Sequence, residues 1–185
     1  GGATLSAPEV VIFTLLLLVA GNETTTNLLG NTVLALTRNP DQLARVQREP
    51  RLLDSAVEEI LRWTSPIVHM SRTAARDVEL RGQKIRAGEL VGLFYPSANR
   101  DEAVFDAPFR FDVGRVPNRH LSFGVGEHVC LGAHVARVEL RVAFRYLLAR
   151  LADAELAGPV ERLRSSQVGG IKRLPIRYRL GTAVA

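Results

Sequence analysis

Apolar residues are concentrated near the start of the chain. Val10 to Ala20 is apolar except for Thr14, and it runs into LLLLVAGNETTTNLL, where Gly21, Asn22, Glu23 and three threonines follow the most apolar stretch. Ser6-Ala7-Pro8-Glu9 predicts the start of a helix: Ser6 can cap, Pro8 suits the first turn, and Glu9 stands where a capping box wants its carboxylate. Helical character continues to Arg38, and Asn39-Pro40 stops it. At about 1.5 Å per residue this helix is roughly 45 Å long, enough to cross a domain. Being apolar on nearly every side, it is expected to be buried with protein around it. The polar patch at 21–26 is then costly, since an unpaired hydroxyl or amide in a dry interior costs roughly 1 to 3 kcal/mol.

Downstream, the pattern predicts a helix from Pro40 to about Arg48 and another from about Leu52 to Trp63, closed by Ser65-Pro66. From Ile67 to Phe94 the periodicity shortens, and turn signals at Arg81-Gly82 and Ala87-Gly88 predict small antiparallel strands. Val104 to Asn118, with Pro108, Gly114 and Pro117, reads as an ordered but irregular meander. A glycine-punctuated loop, FGVGEHVCLG, precedes a helix from about Ala133 to Leu151, and GGIKRLPIRYRL predicts a last strand or hairpin. No repeat, low-complexity tract or linker divides the chain, so one mainly helical unit is expected.

At 185 residues and 46% hydrophobic content, the chain fits a single soluble globular domain. The apolar run falls short of the roughly 20 residues needed to cross a bilayer, so no membrane span is expected. No signal peptide is recognised, and a cytoplasmic location follows. The net charge of +5 comes almost wholly from arginine, and those arginines are spread out without interleaved aromatics. Nucleic acid is therefore not the expected partner.

Cys130 is the only cysteine, which excludes an internal disulfide. It lies between tight-turn glycines and the first turn of a helix, where exposed amides favour a thiolate. A buried, inert cysteine is the alternative. A zinc site using His128, Cys130 and His134 has ligand-like spacing, but no second cysteine pair completes a four-ligand set.

The loop resembles the haem-binding signature of the cytochrome P-450 family, F-G-x-G-x-H-x-C-x-G, at every specified position. Ala20-Gly21-Asn22-Glu23-Thr24-Thr25 is similar to the family's oxygen-activating helix motif. Glu59-Ile60-Leu61-Arg62 is similar to its E-x-x-R motif, and SANRDEAVF and FDVGR follow the soluble bacterial branch. The resemblance implies a mainly α, cytochrome P-450-like fold with small antiparallel sheets. It also implies that residues 1–185 are the C-terminal, haem-binding half, from the long central helix onward. The N-terminal helices that roof the substrate pocket would lie upstream or on another chain.

On that resemblance Cys130 is the proximal ligand of haem b, because thiolate donation to iron favours oxygen–oxygen cleavage. Phe123, Gly124 and Gly132 shape the cysteine pocket, and His128 and Arg72 are expected haem propionate partners. Glu23 and Thr24 would be the acid and alcohol that relay protons to the reacting oxygen. Thr24 would bond the carbonyl of Ala20, and Ala20 and Gly21 would leave room for dioxygen. Glu59, Arg62 and Arg115 would form a structural triad that staples the meander and the cysteine loop. Ile67, Val68, His69, Val168 and Gly169 match segments lining the substrate pocket.

Electrons would come from NAD(P)H through a ferredoxin-type donor docking on the stripe Arg137, Arg141 and Arg145, and the substrate would be a small organic molecule. A haem-binding remnant without turnover and a cofactor-free helical interaction protein remain as alternatives.

Overall fold

The computed structural model describes residues 4–180, apart from the side chain of Ala152. Three helices open it: α1 (Ala7–Arg38), α2 (Pro40–Arg48) and α3 (Leu53–Thr64), the last preceded by a 3-10 turn at Pro50–Leu52. The capping residues act as their chemistry dictates. The Ser6 amide donates to Glu9 Oε2 at 2.7 Å, which satisfies one orphan donor at the start of α1. At the far end the Asn39 amide returns to Leu36 O.

Burial of α1, expected from its apolar pattern, is met over only part of its length. Val10 to Val19 is exposed along its whole apolar stretch, from 44% at Phe13 to 67% at Ile12. Burial begins only at Asn27. The reason is geometric: among the described residues, α2, α3, the last helix and the C-terminal strands all gather along the second half of α1. The polar residues that are buried there are hydrogen-bonded. Asn31 Nδ2 donates to Gly169 O at 2.7 Å, and Thr32 Oγ1 donates to Leu28 O at 2.8 Å.

The core forms where this half of α1 meets α2, α3 and α5 (Ala133–Arg150). Leu36, Val57, Ile60, Val113, Leu140 and Phe144 fill it. Each fully buried side chain of this kind contributes roughly 1.5 to 3 kcal/mol. On α3 the apolar residues at 57, 60 and 61 share one face at helical spacing, leaving Glu58 and Glu59 to reach in different directions.

Strands β1 (His69–Thr73) and β4 (Leu90–Phe94) pair antiparallel, with His69 opposite Phe94. Between them β2 (Val78–Leu80) and β3 (Gln83–Ile85) form a hairpin. Its turn, Arg81-Gly82, has positive φ at both residues, the handedness that matches strand twist. A short helix α4 (Tyr95–Ala98) follows, and residues 99–125 hold no regular helix or strand, in keeping with the expected meander.

Of the last strand or hairpin expected in the tail, the structure has a last strand, and the tail forms no hairpin of its own. Strand β7 (Ile171–Arg173) pairs with β6 (Glu161–Arg162), and β8 (Ile176–Leu180) pairs with β5 (Leu151–Leu156), so neighbouring tail strands seek different partners. Pro175 separates the two tail strands, and its carbonyl accepts the Ala157 amide at 2.9 Å. LADAEL escapes sequence reading because it abuts α5 and is rich in helix formers.

Candidate functional site

Backbone hydrogen bonds shape the cysteine loop. The Gly124 amide donates to Leu121 O at 2.8 Å, and the Cys130 amide donates to Phe123 O at 2.8 Å, closing the loop on itself. Gly124 has φ +71°, and a Cβ there would come within 3.3 Å of His128 O, so both conformation and space call for glycine. A 3-10 turn at Gly126–His128 leads into Cys130, and α5 starts three residues later. Cys130 is exposed and its sulfur is a free thiol. A cavity of about 540 Å³ opens beside it, lined by Phe123, Cys130, Leu131, His134 and Arg137 among others.

Two networks hang this loop on α3. In the first, Glu59 and Arg62 are completely buried and joined by two bonds of 2.7 and 2.8 Å. Arg115 Nε adds a third contact to Glu59 at 3.2 Å, and the Asp112 amide and Asn118 Nδ2 complete the carboxylate's shell. Arg62 spends its remaining donors on the carbonyls of Asn99, Pro108 and Arg110. Every polar atom of the pair is thus matched, as burial in low dielectric demands. Buried Asn99 extends the network, donating to Ser65 and Ser122 and accepting the amide of Leu121, two residues before Phe123.

The second network involves Glu58, His120 and Arg137, none of which the sequence reading placed at the site in this role. Arg137 grips Glu58 with two bonds of 2.7 and 2.9 Å, and His120 Nε2 lies 3.0 Å from Glu58 Oε2. The Ser122 amide points at His120 Nδ1, so Nδ1 accepts and Nε2 carries the proton given to Glu58. Burial alone would raise the Glu58 carboxyl, but the hydrogen bonds from His120 and Arg137 outweigh it and lower it to about 2. The only sequence signal was HLSFG, which places a histidine just ahead of Phe123.

The other candidates are spread over α1 and β1. Thr24 Oγ1 donates to Ala20 O at 2.7 Å, as expected. Glu23, Ala20 and Gly21 are exposed, so no burial cost arises for Glu23 in this chain. Thr25 reaches Glu139 on α5 at 3.5 Å, which ties the polar patch to the helix that follows the cysteine. Ile67 bridges Val168, and the Val68 and Gly169 amides donate to Gln167 O and Pro66 O, bringing these four positions together. His69 adjoins them, its Nδ1 3.2 Å from Ser166 O. Arg72 is exposed on β1, where among the described residues its guanidinium bonds only the neighbouring Ser71 carbonyl, and His128 is exposed in its turn.

Among the described residues, no three His, Cys, Asp or Glu side chains cluster to hold a metal, which leaves the zinc alternative without a donor set. The basic stripe is partly neutralised. Arg137 is taken by Glu58 and Arg141 by Asp54, while Arg145 is exposed.

The family model described as cytochrome P-450 matches residues 1–153. The chain belongs to the cytochrome P-450 family. It is 47% identical over 159 residues to cytochrome P-450-terp of a Pseudomonas species, covering 86% of this chain and 37% of that protein. It is 49% identical over 179 residues to the methyl-branched lipid omega-hydroxylase of Mycobacterium tuberculosis, covering 96% of this chain and 42% of the relative.

The fold agrees with that of CYP109E1 from Bacillus megaterium, solved in complex with testosterone, at TM-score 0.92 and 40% identity. That match covers 97% of this chain and 50% of the other. The chain therefore spans about two fifths of the length of these curated relatives and half of this solved one. Helical P-450 architecture with small antiparallel sheets is thus established, and membership of the family implies a haem cofactor.

The residues at Cys130 fit such a group. A free, exposed thiol stands beside a cavity and an aromatic ring, and a Cβ at Gly132 would sit 4.0 Å from the sulfur. Two exposed basic side chains, Arg72 and His128, are engaged by no carboxylate among the described residues.

Proposed function

We propose that residues 1–185 form the C-terminal, haem-thiolate half of a monooxygenase that activates dioxygen and inserts one oxygen atom into a small apolar organic substrate. The observation that carries this reading is the free Cys130 thiol in a loop whose amide is tethered to Phe123 at 2.8 Å. Bound at that thiolate, haem b supplies the redox chemistry of dioxygen activation, and sulfur donation favours cleavage of the oxygen–oxygen bond.

The chain's own residues then have distinct tasks. Cys130 is the ligand. Phe123, Gly124 and Gly132 shape the pocket around the sulfur. His128 and Arg72 offer donors for two propionate carboxylates. The Thr24 hydroxyl gives its only proton to Ala20 O, so its lone pairs face outward and it passes a proton on only after accepting another. Glu23, the preceding residue, is the acid that would supply one. Ala20 and Gly21 leave the facing side of the helix without bulk.

The site formed by Ile67, Val68, His69, Val168 and Gly169 is a wall of the substrate pocket in this reading. An apolar substrate is supported by the lipid named for the mycobacterial relative and by the testosterone of the CYP109E1 complex. The exposed apolar face of α1 makes turnover depend on the N-terminal half of the domain, supplied upstream or by a second chain. This reading also makes α1 an interior helix. Although α1 is long and apolar enough to cross a membrane by length and composition, its apolar run, Val10 to Ala20 with Thr14 inside it, falls well short of the roughly 20 residues a span requires.

Electrons would come from NAD(P)H through a ferredoxin-type protein in the cytoplasm, with Arg145 the stripe residue that no carboxylate engages among the described residues and that would meet an acidic partner. The test is substrate-dependent NAD(P)H consumption in labelled dioxygen, using the chain together with its N-terminal half, a ferredoxin and its reductase. One labelled oxygen atom per product supports the reading. Product formed without label overturns it.

A further inference from the structure

Adjacent glutamates on α3 serve different ends. Glu59 is enclosed by the meander, whereas Glu58 faces the cysteine loop and α5. A glutamate paired with an arginine at a partly exposed position is ordinarily worth little. The Glu58 pair differs in what stands behind it. Its carboxylate holds Arg137 by both Nε and Nη2, a fork geometry that fixes the guanidinium plane. The guanidinium carbon lies 4.7 Å from the centre of the Phe123 ring, and the ring of His120, held by the same carboxylate, is centred 6.0 Å from it.

The carbonyl of Phe123 in turn accepts the Cys130 amide at 2.8 Å. One carboxylate therefore fixes two side chains, they fix one ring, and the residue carrying that ring positions the sulfur's own backbone. Arg137 and Cys130 also line the same cavity, and the bond to Glu58 holds the Arg137 guanidinium above its ordinary range.

We propose that Glu58 is a positioning residue for the ligand loop: through Arg137 and His120 it clamps Phe123 beside Cys130, and its charge offsets the Arg137 cation that the sulfur faces. The inference rests on Cys130 being the haem ligand, and it assigns the loop's electrostatic setting to a residue outside the loop.

Two variants of the full chain, Glu58→Gln and Arg137→Gln, test it with two readouts. Amide hydrogen exchange over residues 121–133, measured without haemin, should quicken roughly ten-fold in both, because the Cys130–Phe123 bond loses its clamp. After haemin loading, the midpoint potential should move in opposite directions. Glu58→Gln leaves the guanidinium uncompensated, favours the added electron and raises the potential; Arg137→Gln removes the cation and lowers it. A loop that is only loosened would shift both variants the same way, and that result overturns the proposal, as do unchanged exchange and potentials in both. Glu58→Asp, which keeps the charge, should leave the potential near the wild-type value; it replaces Glu58→Gln should that variant fail to fold, and a raised potential in it overturns the proposal.

If the wild-type chain gives no thiolate signature, the haem reading itself has failed. The exchange data then decide whether Glu58 positions the loop.

Discussion

Replacing Glu59 with glutamine keeps the shape of the side chain and removes one charge from a site that water does not reach. Glu59 and Arg62 are both completely buried, and Arg115 is 10% exposed. Five donors converge on the carboxylate: two from Arg62, one each from Arg115 and Asn118, and the Asp112 amide. An amide accepts at only one of its two heads, so at least one guanidinium donor meets an NH2 group instead. Breaking a buried pair by removing one partner costs about 3 to 5 kcal/mol, because the other charge stays buried without compensation. A domain has only about 5 to 15 kcal/mol in total. With a denaturant dependence of about 1 to 3 kcal/mol per molar, the urea midpoint should fall by roughly 2 M.

The assay is urea unfolding followed by far-ultraviolet circular dichroism, with Asp54→Asn alongside. Asp54 is 75% exposed and pairs with Arg141, so its loss should cost no more than about 1 kcal/mol. Equal midpoints for the two variants would refute the claim that the Glu59 network holds the meander to α3.

Three further outcomes follow from the same geometry. Because the Glu58 carboxyl lies at about 2 in the folded chain against 4.5 ordinarily, it stabilises above pH 4.5 and that contribution is lost as pH falls from about 4.5 to 2. Acid unfolding should therefore be shallower in that window for Glu58→Gln, and identical acid limbs would contradict this. Thr24→Ala should uncouple electron consumption from product formation and release hydrogen peroxide; unchanged coupling removes Thr24 from the proton path. The exposed apolar face of α1 should make the isolated chain self-associate, and Leu16→Glu with Ile12→Lys should shift sedimentation toward monomer. A chain that is already monomeric at high concentration would contradict that.

Much of this architecture was legible in the sequence because its signals are local. Helix starts and stops at Ser6, Pro40 and Ser65, and the turns at Gly82 and Gly88, are set by a few neighbouring residues, and the structure follows them. The long-range features were not legible. The burial of α1 depends on what surrounds it, and its apolar pattern describes an interior that the described residues supply for only half its length. The pairing of β5 with β8 joins segments about twenty residues apart, and nothing local marks it.

At the site, the motif residues stood out by spacing, whereas Glu58, Asn99 and His120 gain their roles only through partners far along the chain. Arg137 was read as part of an exposed stripe because helical spacing shows a face but not the carboxylate opposite it.

The central claim concerns the sulfur of Cys130, and one measurement addresses it most directly. The chain is mixed with haemin, reduced under carbon monoxide, and its difference spectrum is compared with that of Cys130→Ser. A strongly red-shifted Soret band in the wild type, absent from the serine variant, is the predicted result. No such band, or the same band in both proteins, would contradict ligation by Cys130.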